Sequence, residues 1–232
     1  MARLCKPSLD RGVAPLRSAT PRSNALHPIY RKEITLPCPG TKGTVPNTFL
    51  LVNGDMRAPK ETVGQRIVRA IWGGGLSHQG QYDYFYKKAM LDMTGAYERA
   101  GYHVLSRPHT YKWTENEVED LLNVFTSSGS LAGFGFVGHG TTGYLALRPQ
   151  AGSLKPFDLS SALRYRLAFA ELYACYSLSK RSSEHPGLHG DPNAPRWSAM
   201  ISENGVLRGH RGFLDGRYER YDALEIWRAR KN

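Results

Sequence analysis

Two stretches decide the fold: Phe134-Gly135-Phe136-Val137-Gly138-His139-Gly140 and Leu167-Ala168-Phe169-Ala170-Glu171-Leu172-Tyr173-Ala174-Cys175. Each is an apolar run of strand length that stops on a residue able to take part in acyl transfer. One stops on a histidine between glycines, the other on a cysteine followed by Tyr176-Ser177. In a parallel α/β sheet, chemistry gathers at the carboxyl ends of the strands. A thiol and an imidazole carried to that edge by separate strands have the form of a nucleophile and its proton-transfer partner.

Working outward, strand and helix patterns alternate. Thr48 to Val52 is a buried-type strand ending at Asn53-Gly54-Asp55. Val63, Ile67, Val68 and Ile71 follow at helical spacing, ahead of Gly73-Gly74-Gly75. A second helix is expected from Tyr84 to Arg99, stopped by Gly101. Tyr102 to Leu105 is the next strand. Thr114 and Glu117 have capping-box spacing, and Val118, Leu121, Leu122 and Phe125 share one helical face. After the strand Leu131 to Val137, Gly143 to Leu147 reads as a short extra strand or hairpin arm. Asp158 is placed to cap a helix through Tyr165, and Leu167 to Ala174 is the fourth long strand. Pro195 to Asn204 is predicted helical with Gly205 just beyond, Val206 to Leu214 a further strand, and Tyr221 to Arg230 a closing helix. This alternation predicts an α/β fold with a mostly parallel sheet covered by helices on both faces.

Residues 1–46 differ from the rest. Seven prolines, from Pro7 to Pro46, punctuate a stretch rich in Arg, Ser and Thr with no sustained periodicity. It reads as an extended arm or linker, leaving 47–232 as the folded domain. With 232 residues, 41% of them hydrophobic, the chain suits one globular domain with such an extension. No apolar run reaches membrane-span length, and no signal-peptide core follows Met1, so a cytoplasmic location is expected, or delivery within a larger secreted protein. Cys5, Cys38 and Cys175 are odd in number and unpaired in spacing, which argues against a disulfide scaffold. The net charge of +11 favours acidic partners, but the basic residues form no block, so a nucleic-acid interface is not expected.

Other motifs fail on context. Gly133 to Gly138 matches a dinucleotide fingerprint, with Asp158 at a suitable distance, yet its glycines lie inside the strand and no helix follows. Close packing or a bulge explains those glycines instead. His185 and His189 straddle Pro186-Gly187 and cannot share a helix face, so neither a metal nor a cofactor is expected.

The order of these elements (an apolar strand into Gly138-His139-Gly140, a connection, an apolar strand into Ala174-Cys175-Tyr176-Ser177) resembles the caspase, legumain and gingipain superfamily of cysteine peptidases, clan CD. The stretch Trp197 to Gly209 is similar to the element that follows the cysteine loop there. The resemblance covers about Thr48 to Leu214 and implies a caspase-hemoglobinase-like fold. Caspases read Gln-Ala-Cys followed by Arg or a similar residue and Gly, with roughly 50 residues between histidine and cysteine. This chain has Tyr173-Ala174-Cys175-Tyr176-Ser177 and a shorter interval. These departures point away from a true caspase and leave the wider superfamily, such as a bacterial caspase-like protease or a module of a larger toxin or polyprotein.

The resemblance implies a cysteine endopeptidase acting on protein or peptide substrates, with Cys175 as thiolate nucleophile and His139 as proton donor to the leaving amine. The oxyanion donors would be the backbone N–H groups of Gly140 and Cys175. The pocket for the residue before the cut would draw on Asp55 or Arg57, on Tyr173, and on Arg208 or Arg211. Asp55 would select basic residues, whereas Arg57 with Arg211 would select Asp; the reading leans to the basic preference. With that preference the enzyme would trim its own arm, at Arg17, Arg22, Arg31 or Lys32. The alternatives are a caspase-like binding scaffold without activity, which would keep the same strands, and a basic nucleic-acid-binding module. Oligomeric state is left open.

Overall fold

A computed structural model describes residues 47–58, 63, 66, 78–148, 151–163, 166–179, 193–214 and 224–229. The arm, with its expected trimming sites, lies outside the described residues. Of the expected helix from Val63 to Ile71, only Val63 and Arg66 are described, and both are helical.

The elements run β1 (Thr48–Asn53), α1 (His78–Arg99), β2 (His103–Ser106), α2 (Glu115–Ser127), β3 (Leu131–Val137), β4 (Leu145–Ala146), β5 (Ser153–Leu154), α3 (Pro156–Ala162), β6 (Leu167–Tyr173), β7 (Ile201–Gly209) and β8 (Glu225–Arg228). Six strands form one sheet in the order β2-β1-β3-β6-β7-β8, and β4 pairs with β5 apart from it. All neighbours in the large sheet are parallel except β7 and β8. β1, β3 and β6 are central, and only Ala168 among their residues is exposed. That is why they read as near-continuous apolar runs.

Helices cover both faces. On one, α1 lays down Tyr82, Tyr86, Ala89, Met90, Met93 and Tyr97 at helical spacing against Phe49, Val137, Phe169 and Tyr173. On the other, Val118 and Leu122 of α2 and Leu159 of α3 pack on Leu50, Phe134, Phe136 and Leu172. The strand glycines serve this packing. A Cβ at Gly133 would lie 2.6 Å from the Phe169 ring, and one at Gly135 would lie 2.7 Å from Phe49 and 2.8 Å from the Met93 sulfur. The fingerprint-like glycines thus make room for aromatic rings.

Several boundaries differ from those expected. α1 starts at His78, ahead of Tyr84, because burial of Tyr82 against the sheet outweighs the poor helix propensity of Gly80. Thr114 caps α2, accepting the Glu117 N–H at 3.2 Å. The reciprocal half of the box is absent, since the Glu117 carboxylate accepts the Tyr111 hydroxyl at 2.7 Å. α3 is not capped by Asp158: Lys155 is the N-cap, Pro156 opens the helix with its preset φ, and the helix ends at Ala162.

The helix expected from Pro195 to Asn204 is a single 3-10 stretch, Arg196–Met200, that passes directly into β7. Fully buried Ile201 pairs with Leu167, and the register then jumps so that Phe169 faces Val206. The intervening bulge holds Asn204 at φ 61°, a left-handed conformation that Asn tolerates. Gly205 therefore belongs to a bulge and does not terminate a helix. The closing helix is likewise corrected: its described portion is β8, whose backbone satisfies the outer edge of β7.

Candidate active site

Register brings the two motif residues together. Val137 of β3 is the cross-strand partner of Tyr173 of β6, and the Gly138 N–H continues the ladder to the Tyr173 carbonyl at 3.1 Å. His139 and Cys175 each lie two residues beyond that pair. Both follow the carboxyl ends of adjacent parallel strands, His139 after β3 and Cys175 in the turn after β6. Both lie on the α1 side. Cys175 and Tyr173 share an apolar cluster with Tyr82 and Tyr86, while the His139 ring meets Tyr86 edge-on at 5.6 Å and Tyr82 at 6.0 Å. Tyr86 also meets Tyr173 edge-on at 5.9 Å.

His139 is held on every side. Its N–H donates to the Asp55 carbonyl at 2.8 Å, and its own carbonyl accepts the Ala146 N–H at 2.9 Å. A Cβ at Gly138 would sit 2.9 Å from the Gly54 Cα, so glycine lets the ends of β3 and β1 close on each other. The ring makes two polar contacts: Nε2 lies 2.6 Å from the Arg57 carbonyl, and Nδ1 lies 3.3 Å from the Tyr86 hydroxyl. A carbonyl can only accept, so Nε2 carries a proton, and the one lone pair of Nδ1 faces the Tyr86 hydroxyl.

Cys175 opens a tight turn. Its side chain is buried, and Sγ accepts the Leu214 N–H at 3.3 Å while lying 3.5 Å from the Leu214 carbonyl. The N–H complements negative charge on sulfur, whereas the carbonyl accepts the S–H of the neutral thiol. The next residue, Tyr176, has φ 55° and is 40% exposed. A bulky residue in this region costs roughly 1–2 kcal/mol. Such strain persists only where the surroundings impose it, and it gathers at functional sites.

The imposing contacts come chiefly from Ser177, which is fully buried. Its hydroxyl lies 3.0 Å from the Leu172 carbonyl and 2.9 Å from that of Ala174, and accepts the His210 N–H at 2.9 Å. Tyr176 and Leu178 donate their N–H groups to the carbonyls of Gly212 and His210 at 2.8 and 2.9 Å. The chain leaving β7 therefore clamps the cysteine turn. Gly209 makes room for it, since a Cβ there would collide with the Ser177 hydroxyl.

Gly140 faces Leu145 in an antiparallel bridge. The bonds flanking it run from Thr141 N–H to the Tyr144 carbonyl and from Ala146 N–H to the His139 carbonyl. The Gly140 N–H takes part in neither. A Cβ on Gly140 would lie 3.0 Å from that of Ala174, so its bare backbone approaches the residue before Cys175.

The expected pocket residues are dispersed. Asp55 and Arg57 form a forked ion pair, with Nη2 to Oδ2 at 2.9 Å, beside His139. Burial resists ionisation of Asp55, but its hydrogen bonds from Arg57 outweigh this and hold the carboxyl below its ordinary range. Tyr173 is buried against Tyr86. Arg208 points into the core, where Nη1 meets the Glu171 carboxylate at 2.6 Å. The Tyr97 hydroxyl donates to the other oxygen of Glu171. Burial, then the Glu171 charge, raises the Tyr97 phenol well above its usual range and keeps it a neutral donor. Arg211 is exposed and pairs with Glu225 at 2.8 Å.

Sequence reasoning missed Tyr86, the Arg57 carbonyl, Leu214 and Glu171. One signal was available: Glu171 is the only charge within the β6 run, and a charge on a buried strand needs a partner. Tyr86 sits in an ordinary amphipathic stripe, and backbone partners leave no mark in side-chain identity.

No group of three His, Cys, Asp or Glu side chains among the described residues could hold a metal ion, and no described helix is long and apolar enough to cross a membrane. No protein-family model matches the chain, and no curated protein matches it.

Proposed function

We propose that the chain is a cysteine endopeptidase of the caspase-like kind, working through Cys175 and His139. The observation that carries this reading is their shared register, two residues beyond the Val137–Tyr173 pair on adjacent parallel strands. In the proposed reaction, Sγ attacks the peptide carbonyl as its proton passes to His139 Nδ1, which the Tyr86 hydroxyl must first release because that nitrogen has one lone pair. The tetrahedral oxyanion is met by the N–H groups of Gly140 and Cys175. His139 then protonates the leaving amine as the C–N bond breaks, giving an acyl-enzyme and a free amine. Water, deprotonated by the same imidazole, hydrolyses the thioester and restores the thiol. The strained turn at Tyr176 and the Gly140 N–H, which donates to no carbonyl among the described residues, support the reading.

Substrate preference is the finer part of the proposal. Asp55 is the acidic pocket candidate beside His139, and it favours a basic residue before the cut only if substrate displaces Arg57, an exposed partner. Self-processing of the arm would follow from the same preference.

A second reading, a caspase-like scaffold without activity, is favoured by one observation: Cys175 is buried with its sulfur engaged by Leu214. One pair of measurements separates the two. Timed iodoacetamide labelling near neutral pH should modify Cys175 far faster than Cys5 or Cys38, and a fluorogenic peptide library should show cleavage that Cys175→Ala abolishes. Equal labelling rates with no cleavage would establish the scaffold. Turnover of Cys175→Ala within about tenfold of wild type would remove Cys175 as nucleophile.

A further inference from the structure

We infer that Tyr144, Tyr176 and Phe213 form an apolar rim around Cys175, and that this rim binds an apolar side chain of the substrate within two residues of the scissile bond. The inference deepens the peptidase reading and rests on it for the nature of the ligand, a peptide.

Tyr176 supplies the first reason. Its φ of 55° would suit glycine or asparagine, yet the position carries a large aromatic residue. Burial does not offset the strain, because Tyr176 is exposed. Strain of this kind, unrelieved by packing, points to a ring that is placed for a ligand.

The second reason is where the exposed aromatic residues lie. Among the described residues they are Tyr84, Tyr144, Tyr176 and Phe213. Tyr84 meets Phe85 edge-on at 5.2 Å, whereas the other three rings make no ring contact or hydrogen bond among the described residues. Each of those three adjoins a residue that backs the site. Tyr176 follows Cys175, and its N–H donates to the Gly212 carbonyl at 2.8 Å, which sets Phe213 close by. Leu214, next to Phe213, lays its backbone against the sulfur. Tyr144 precedes Leu145, the bridge partner of Gly140, and a Cβ on Gly140 would lie 3.0 Å from that of Ala174. Leu145 and Leu214 are buried while Tyr144 and Phe213 are exposed, so each loop turns its leucine inward and its ring to solvent.

Uncharged rings bind by removing apolar surface from water on both partners, so a leucine- or phenylalanine-like side chain fits them. The rim therefore acts beside the residue that Asp55 would select and does not depend on that ion pair.

Two peptide series test this, one with a central lysine and one with a central aspartate, carrying Phe or Ala at each of the two positions on either side. At one of these positions wild type should prefer Phe over Ala by about tenfold or more in kcat/KM. Tyr176→Gly, which the positive φ accommodates, Phe213→Ser and Tyr144→Ser should each shrink that ratio while the all-Ala peptide is cleaved at a near wild-type rate. The same peptides, fluorescein-labelled, are titrated against Cys175→Ala protein by anisotropy, where Phe should tighten binding and Tyr176→Gly should remove the gain. A preference absent from wild type, or left unchanged by all three variants, overturns the rim while cleavage itself keeps the peptidase reading. Phe-dependent binding that Tyr176→Gly removes, in a protein whose wild type cleaves neither series, supports the rim and overturns the peptidase reading instead. Neither cleavage nor preferential binding overturns both.

Discussion

The two faces of the sheet are built from different materials. The face under α2 and α3 is largely aliphatic, with Leu50, Val52, Leu122, Leu159, Leu172 and Leu207 around Trp113 and Trp197. The face under α1 is aromatic and threaded with polar groups: Tyr82, Tyr86, Tyr97, Tyr102 and Tyr173, the Glu171–Arg208 pair, and at its carboxyl end Cys175 and His139. An aliphatic face supplies non-directional burial and tolerates any arrangement that fills space. Tyrosine adds a directional hydroxyl to similar burial, so each ring can orient a neighbour. The contrast teaches that one face mainly holds the fold together, while the other also aims side chains.

That division can be broken by experiment. The largest expected effect is on turnover: His139→Ala should lower kcat about 10²–10⁴-fold, the usual worth of acid–base help, with little change in melting temperature. Near-normal cleavage by this variant would remove the α1 face from the chemistry. Next comes stability. Glu171→Gln leaves the Arg208 guanidinium buried without its counter-charge, which should cost roughly 3–5 kcal/mol in urea unfolding.

Leu122→Ala, on the aliphatic face, should cost about 2–5 kcal/mol through its cavity yet leave kcat and KM unchanged in the folded protein. A fall in kcat there would erase the distinction between the faces. Ser177→Ala sharpens it at the cysteine turn. It strips the His210 N–H of its acceptor and should cost about 1–3 kcal/mol. It should also relax Tyr176 from its positive φ and so slow iodoacetamide labelling of Cys175.

The smallest effect concerns Asp55. Its folded pKa is depressed, so its contribution is complete above the unfolded value and is lost as pH falls through the lower folded one. Asp55→Asn should therefore trail wild type slightly in melting temperature at neutral pH. The gap should close as pH drops below about 4, where the unfolded carboxyl protonates. A gap that stays constant to strongly acid pH would show that the Arg57 pair is not its source.

Much was legible without coordinates because burial and periodicity are written locally. The runs in β1, β3 and β6 announced parallel central strands, and their terminal residues announced the candidate pair. Thr114 announced a helix start through its hydroxyl and its spacing to Glu117. Where the reading failed, a partner distant in sequence had decided the outcome. Ile201 lies in a strand because Leu167 pairs with it, and the chain from Glu225 to Arg228 is extended along the open edge of β7.

The same boundary runs through the site. By itself the sequence determined the α/β class, the two strand ends and the identities of Cys175 and His139, since strand length and side-chain chemistry are properties of short segments. Only the tertiary structure decided the register that sets Val137 beside Tyr173, the tautomer imposed by the Arg57 carbonyl, the phenol that α1 brings to Nδ1 and the Leu214 backbone over the sulfur. Each of those depends on where a remote piece of backbone comes to rest. Main-chain donors and acceptors are the same in every residue but proline, so only the packed fold shows which of them meet the site.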